Sequence, residues 1–296
     1  MMRPRFAWLG VCMAGLAACA SAPAAVPAAT PSLAAAQANL RVVGNRVFLP
    51  VDVQGIATEA LLDSGAEMTL LDTAFAATAG LAAFGEEEAR GTGAGTQSVQ
   101  FAEGVTLKAA GKTLQDRMVA ILDLTDISQR VVGAPLTVVL GREFFDAGIY
   151  AMDIEAGRIE ETGAEALPAS DPLPLQDAHG IKQLGAAING APVLADFDLG
   201  NGNEVLLSRA FAERAGLLAP DNILGTKMGG GIGGDVERTL VRIETLEIGG
   251  LTLKDVTAAV SPHEKGADAN VGVSVLRHFR IVVDYEGNRI WLEPRA

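Results

Sequence analysis

The sequence predicts an all-β protein: two similar β-rich lobes in tandem, carrying a few short helices. Three observations predict it. Short apolar segments separated by glycine-containing turns fill the chain from about Asn39 onward. The pattern stops at a stretch holding Pro168, Pro172 and Pro174, then restarts. The restarted half repeats the first half in register.

The elements follow in order. Residues 1–19 read as an export signal: Arg3 and Arg5 give a positive start, and Phe6 to Ala18 is an apolar run short for a membrane span. The run ends in Leu16-Ala17-Ala18-Cys19, which resembles the bacterial lipobox, and that resemblance implies lipidation at Cys19. The expected location is the periplasm or outer membrane, with the lipid as anchor. Residues 20–38, almost all Ala, Pro, Ser and Thr, bury too little to fold and read as a tether.

The first lobe is expected over residues 39–162. Strands are predicted at Arg41–Val43, Arg46–Val53 and Ala57–Leu62, with turns at Gly44-Asn45 and Gln54-Gly55. Met68–Leu71 resumes as a strand, Asp72 caps a short helix through Ala79, and Gly80 ends it. Residues 85–104, rich in glycine, form a flexible hairpin, in which Glu86-Glu87-Glu88 reads as a solvated loop and Phe84 and Phe101 as core. Further strands are predicted near Val105–Leu107, Met118–Leu122 and Leu136–Leu140, then a helical turn at Arg142–Asp146 and a closing hairpin around Ala156-Gly157. Residues 163–177 are a linker, and the second lobe occupies 178–296.

The internal repeat is specific. Leu61-Leu62-Asp63-Ser64-Gly65 corresponds to Asp196-Phe197-Asp198-Leu199-Gly200. Ala74-Phe75-Ala76 through Gly80-Leu81 matches Ala210-Phe211-Ala212 through Gly216-Leu217. A second glycine-rich hairpin holds Gly229 to Gly234, Leu140-Gly141 matches Val271-Gly272, and the closing hairpins match around Asp153 and Asp284. Two equivalent lobes tend to pack about a pseudo-two-fold axis, which can bring Asp63 and Asp198 together.

Asp63 stands where an apolar strand breaks into a turn. Asp, Ser and Gly all favour turns, so the motif alone also reads as a plain turn. A buried carboxylate there needs hydrogen bonds or a partner that shares its charge, which makes it a catalytic candidate. Two carboxylates held together share one proton: the ionised one can take a proton from water, and the protonated one can hydrogen-bond a carbonyl oxygen.

Composition bounds the function. The chain has 296 residues, 49% hydrophobic and 20% charged, which suits globular structure. With 36 acidic and 23 basic residues and no basic cluster, nucleic-acid binding is not expected, and substrates steered by charge would be neutral or cationic. Cys12 and Cys19 are the only cysteines, and His179, His263 and His278 are far apart, so a Cys/His metal site is set aside and no cofactor is expected. No Gly-x-Ser-x-Gly elbow supports a serine hydrolase.

The stretch Ala60–Leu71 resembles the active-site signature of aspartic proteases, and the repeat looks like a single-chain, two-lobed relative of the retropepsins. The resemblance implies β-barrel-like lobes, a cleft between them, glycine-rich flaps over it and an apolar–Gly element after each flap. Leu140-Gly141 and Val271-Gly272 fit that element, and the flap candidates are Arg90–Thr96 and Lys227–Asp235. It also implies endopeptidase activity on a peptide or protein substrate, favoured at acid pH, with Asp63 and Asp198 as the catalytic pair. Ser64, Gly65 and Gly200 beside the pair, and Gly93 and Gly231 in the hairpins, are the substrate-binding candidates. The expected state is a monomer with intrachain lobe pairing.

The second motif departs from the family. Leu199 stands where Ser or Thr is usual, and its side chain cannot make the hydrogen bond that locks the two loops. Asn201, Asn203 or Ser64 are the possible substitutes, and the loop after Gly200 is one residue longer. Two other readings therefore stand beside an active protease. One is a catalytically silent lobe pair that binds peptide or envelope polymer. The other is a homodimer acting through two copies of Asp63.

Overall fold

A computed structural model describes residues 38–178, 180–262 and 267–295. The export signal, Cys19, most of the tether, His179 and His263 lie outside the described residues. Among the described residues no helix is long and apolar enough to cross a membrane.

The described chain is mostly strand, in two eight-stranded sheets that follow one another along the sequence and share one topology. In the first, Arg46–Val53 pairs antiparallel with Ile56–Leu62, which runs parallel to Val138–Leu140. In the second, Ile181–Ile188 pairs antiparallel with Ala191–Phe197, which runs parallel to Ala269–Val271. Each lobe thus places the strand ending in its Asp-x-Gly turn centrally, under the apolar–Gly segment.

Local chemistry explains the helices. Asp72 caps Thr73–Thr78 by accepting from the Ala74 and Phe75 amides, and Ser208 caps Arg209–Arg214 by accepting from the Phe211 amide. Residues 124–132, which carry no strong sequence signal, form the short helix Thr125–Ile127 and a wider π-type turn, Ser128–Val132.

The hairpins are longer than their sequence suggests. The first runs from Phe84–Arg90 into Thr96–Ala109, the second from Ile223–Gly231 into Gly234–Ile248. Two expectations change as a result. Glu86-Glu87-Glu88 belongs to an exposed strand rather than a loop, with Glu86 and Glu88 accepting from Ser98 and Thr96 across the hairpin. Phe84 is 46% exposed and tilts against Phe101 at 6.3 Å, because the hairpin projects beyond the lobe's core.

The closing hairpins leave their own lobes. Ile149–Asp153 pairs antiparallel with Phe279–Asp284, with Ala151 opposite Val282. The resulting six-stranded sheet takes three strands from each half in mirrored order. Asp153 and Asp284 act as turn devices, accepting from the Ala156 and Gly287 amides. Below this sheet Phe145 stacks on Tyr285 at 5.1 Å and Phe144 on Tyr150 at 4.2 Å, so aromatic packing continues from one lobe to the other.

Candidate active site

The two Asp-x-Gly turns are built by matching hydrogen bonds. The Asp63 amide donates to Leu140 O at 3.0 Å, and the Asp198 amide donates to Val271 O at 3.1 Å. The Gly65 amide donates to Asp63 Oδ1 at 2.8 Å, and the Gly200 amide to Asp198 Oδ1 at 2.9 Å. Arg142 N donates to Ala66 O and Val273 N to Asn201 O, which ties each turn to the helix that follows its apolar–Gly element.

These turns face each other. A Cβ built on Gly65 would lie 2.8 Å from Asp198 Oδ1, and one on Gly200 would overlap the Asp63 carboxyl. Glycine is required at both positions by approach of the opposite carboxyl. The two carboxyls lie close enough that each enters the other's titration. Both lie deep in the fold yet keep partial access to water. Burial, then the neighbouring Asp198 charge, pushes Asp63 up to about 8. Burial also raises Asp198, against the opposing pull of donors from Asn270, Gly200 and Asn201. The pair therefore holds one shared proton well into the neutral range and titrates as a unit.

Ser64 makes the crossing between the loops. Its buried Oγ donates to Phe197 O at 2.7 Å and accepts from Leu199 N at 2.9 Å. Leu199 offers no return bond; its side chain is fully buried in the apolar core. The longer second loop does not push Asp198 out of the site. Asn203 N donates to Asn201 Oδ1, Asn201 Nδ2 donates to Asn270 Oδ1, and Asn270 Nδ2 donates to Asp198 Oδ2 at 2.7 Å. Asn270 escaped the sequence reading. It stands just before Val271-Gly272, where the first lobe has Val139, and that polar-for-apolar exchange was the available signal.

The two hairpin tips bind each other. Gly93 N donates to Ile232 O at 3.1 Å and Gly95 N to Gly233 O at 2.8 Å. A Cβ on Gly93 would sit 2.6 Å from Ile232 O, so side chains are excluded there by the opposite tip. Gly231 O accepts from Arg130 Nη2 at 3.0 Å, while Arg130 Nη1 pairs with Asp235 at 2.6 Å. The two glycines expected to meet substrate, Gly93 and Gly231, are thus engaged at the closed tips. Arg130 sits on the π-type turn of the first lobe and latches the second lobe's flap. Arg130→Ala is expected to speed hydrogen exchange at the Gly93 and Gly95 amides by about fivefold, the scale of one partly exposed ion pair. An unchanged exchange rate would remove the latch.

Among the described residues no cluster of metal-ligating side chains is present. A comparison with curated proteins finds no match. A family model described as Aspartyl protease matches the chain twice, at residues 49–144 and 184–275. Each matched stretch contains one of the facing Asp-x-Gly turns and together they span more than half of the sequence, so the chain belongs to the aspartyl protease family.

Proposed function

We propose that the protein is an aspartic endopeptidase acting through Asp63 and Asp198 of a single chain. The observation that supports this reading most is the approach of the two turns, each glycine lying against the other lobe's carboxyl, with both carboxyls raised by burial. One carboxylate takes a proton from a water as the water oxygen attacks the peptide carbonyl carbon. The other carboxyl gives its proton to the carbonyl oxygen. The tetrahedral intermediate then collapses: the carboxyl that took the water's proton gives it to the leaving nitrogen, the other takes a proton back from a diol hydroxyl, and the C–N bond breaks. No covalent bond to the enzyme forms. The facing of Asp63 and Asp198 within one chain supports the single-chain reading over the homodimer.

The sequence suggested acid-favoured activity. The raised pair extends the working range upward, because the singly protonated form persists until the second proton leaves. The test is cleavage of a peptide library from about pH 3 to about pH 9. The expected kcat/KM holds to neutral pH and falls through pH about 8. A transition-state mimic of aspartic proteases should inhibit and raise the melting temperature. Folded protein that cleaves nothing would favour the silent, peptide-binding reading, which the buried Leu199 supports.

Export and lipidation at Cys19 belong to the same proposal, resting on the sequence of residues 1–38. Cys19→Ser should abolish fatty-acid labelling and release the protein from membranes; retained label would sink the anchor.

A further inference from the structure

The two lobes are built on the same strand pattern but carry opposite chemistry along matching rows. In the first lobe one row crosses the sheet with Phe48 opposite Leu61, and Leu61 opposite Val139. The second lobe's row has Gln183 opposite Asp196, and Asp196 opposite Asn270. Both rows continue through a leucine and an alanine to the flap strand, at Phe101 in one lobe and Leu240 in the other. Two residues earlier, on the same face, stand Val99 and Arg238. Four apolar side chains of the first lobe are thus replaced by an amide, a carboxylate, an amide and a guanidinium.

The first row belongs to an apolar cluster against which Ile232 of the opposite flap packs. Asn270 in the second row touches the catalytic pair through Asp198. Arg238 stands on the second lobe's flap strand. Its Nη2 donates to Thr92 O of the other flap at 2.9 Å, and its side chain runs 3.4–3.7 Å from where a Gly229 Cβ would sit. It is only 8% exposed, and its Nε has no hydrogen-bond partner. The acids near it are committed elsewhere: Glu204 to Lys227 and Asp235 to Arg130, each at 2.6 Å. A buried guanidinium with an unfilled donor, on the flap strand and against the opposite flap, suits an acceptor that a substrate brings.

We infer that the cleft is asymmetric in specificity, taking an apolar side chain against Val99 and Val139 and an acidic side chain at Arg238, on opposite sides of the cleaved bond. This rests on the endopeptidase reading. The net charge of −13 acts on approach and is screened beyond about 10 Å at 0.1 M salt, so the guanidinium decides at contact.

The test compares peptides with Leu on one side of the bond and Glu, Gln or Leu on the other. Wild type should prefer Glu over Gln over Leu, and Arg238→Val should cut the Glu-to-Leu ratio of kcat/KM by about tenfold to a hundredfold, the scale of a charge-assisted hydrogen bond. Arg238→Gln, closer in shape, serves if the valine variant fails to fold, and should show the same loss. Binding of the same peptides to Asp63→Asn protein is measured in parallel by fluorescence anisotropy, which needs no catalysis. Cleavage with the same apolar preference on both sides, or a ratio untouched by both variants, overturns the subsite and leaves the protease reading standing. No cleavage, together with Arg238-dependent binding of the Glu peptide, overturns the protease reading and supports the subsite. Equal binding of Glu and Leu peptides overturns it.

Discussion

Asp63→Asn and Asp198→Asn are each expected to lower kcat/KM for peptide cleavage by about 10³-fold or more, since each removes one of the two proton-transfer partners. Both losses are needed. Loss in Asp63→Asn alone would return the catalytic unit to two copies of one chain. The same variants report on stability, and the sign follows from the raised pair. A carboxyl whose folded value lies above its ordinary 3.8 contributes stability that is whole below that value and is lost as pH rises through the folded one. The wild type should therefore lose stability as pH climbs towards about 8. Asp63→Asn cannot ionise, so it should exceed the wild type by on the order of 1–3 kcal/mol at pH 8 and match it near pH 4. Urea melts at the two pH values measure this. A variant less stable than wild type at pH 8 would mean that the carboxyl is held by hydrogen bonds worth more than its burial costs.

Ser64→Ala carries the second large effect. Ser64 Oγ crosses between the two loops, and it satisfies Phe197 O and Leu199 N inside the core. Removing it leaves two buried backbone groups without a partner, at about 1–3 kcal/mol each, so a loss of about 2–6 kcal/mol is expected. The loss should show as a lower urea midpoint. Its consequence for catalysis is distance: the loops it joins carry the two carboxyls, so kcat should fall while the fold survives. An unchanged midpoint would show that the shared sheet and the Phe145–Tyr285 stack hold the lobes without it.

The parts of this protein that depend on neighbours in sequence were legible without coordinates. The Asp72 and Ser208 caps, the glycine tips, the closing turns at Asp153 and Asp284 and the two Asp-x-Gly loops all follow from local chemistry repeated at a fixed offset. The repeat also pointed to Asp63 and Asp198 as one pair, because two equivalent lobes pack about an axis.

Tertiary structure decided what depends on residues far apart. The closing hairpins could equally have completed their own lobes; only the register of Ile149–Asp153 on Phe279–Asp284 makes them a shared sheet. Phe84 is as apolar as any core residue, and its exposure follows from the reach of a hairpin, which period-two patterning does not encode. Leu199 looked like a defect in the sequence, whereas in the fold a single hydroxyl from Ser64 serves both loops and Asn270 supplies the donor to Asp198. Arg238 gave no motif at all. Its meaning lies in being buried, short of an acceptor and placed opposite Val99 across the axis, and burial, satisfaction and symmetry become definite only when both lobes are folded together.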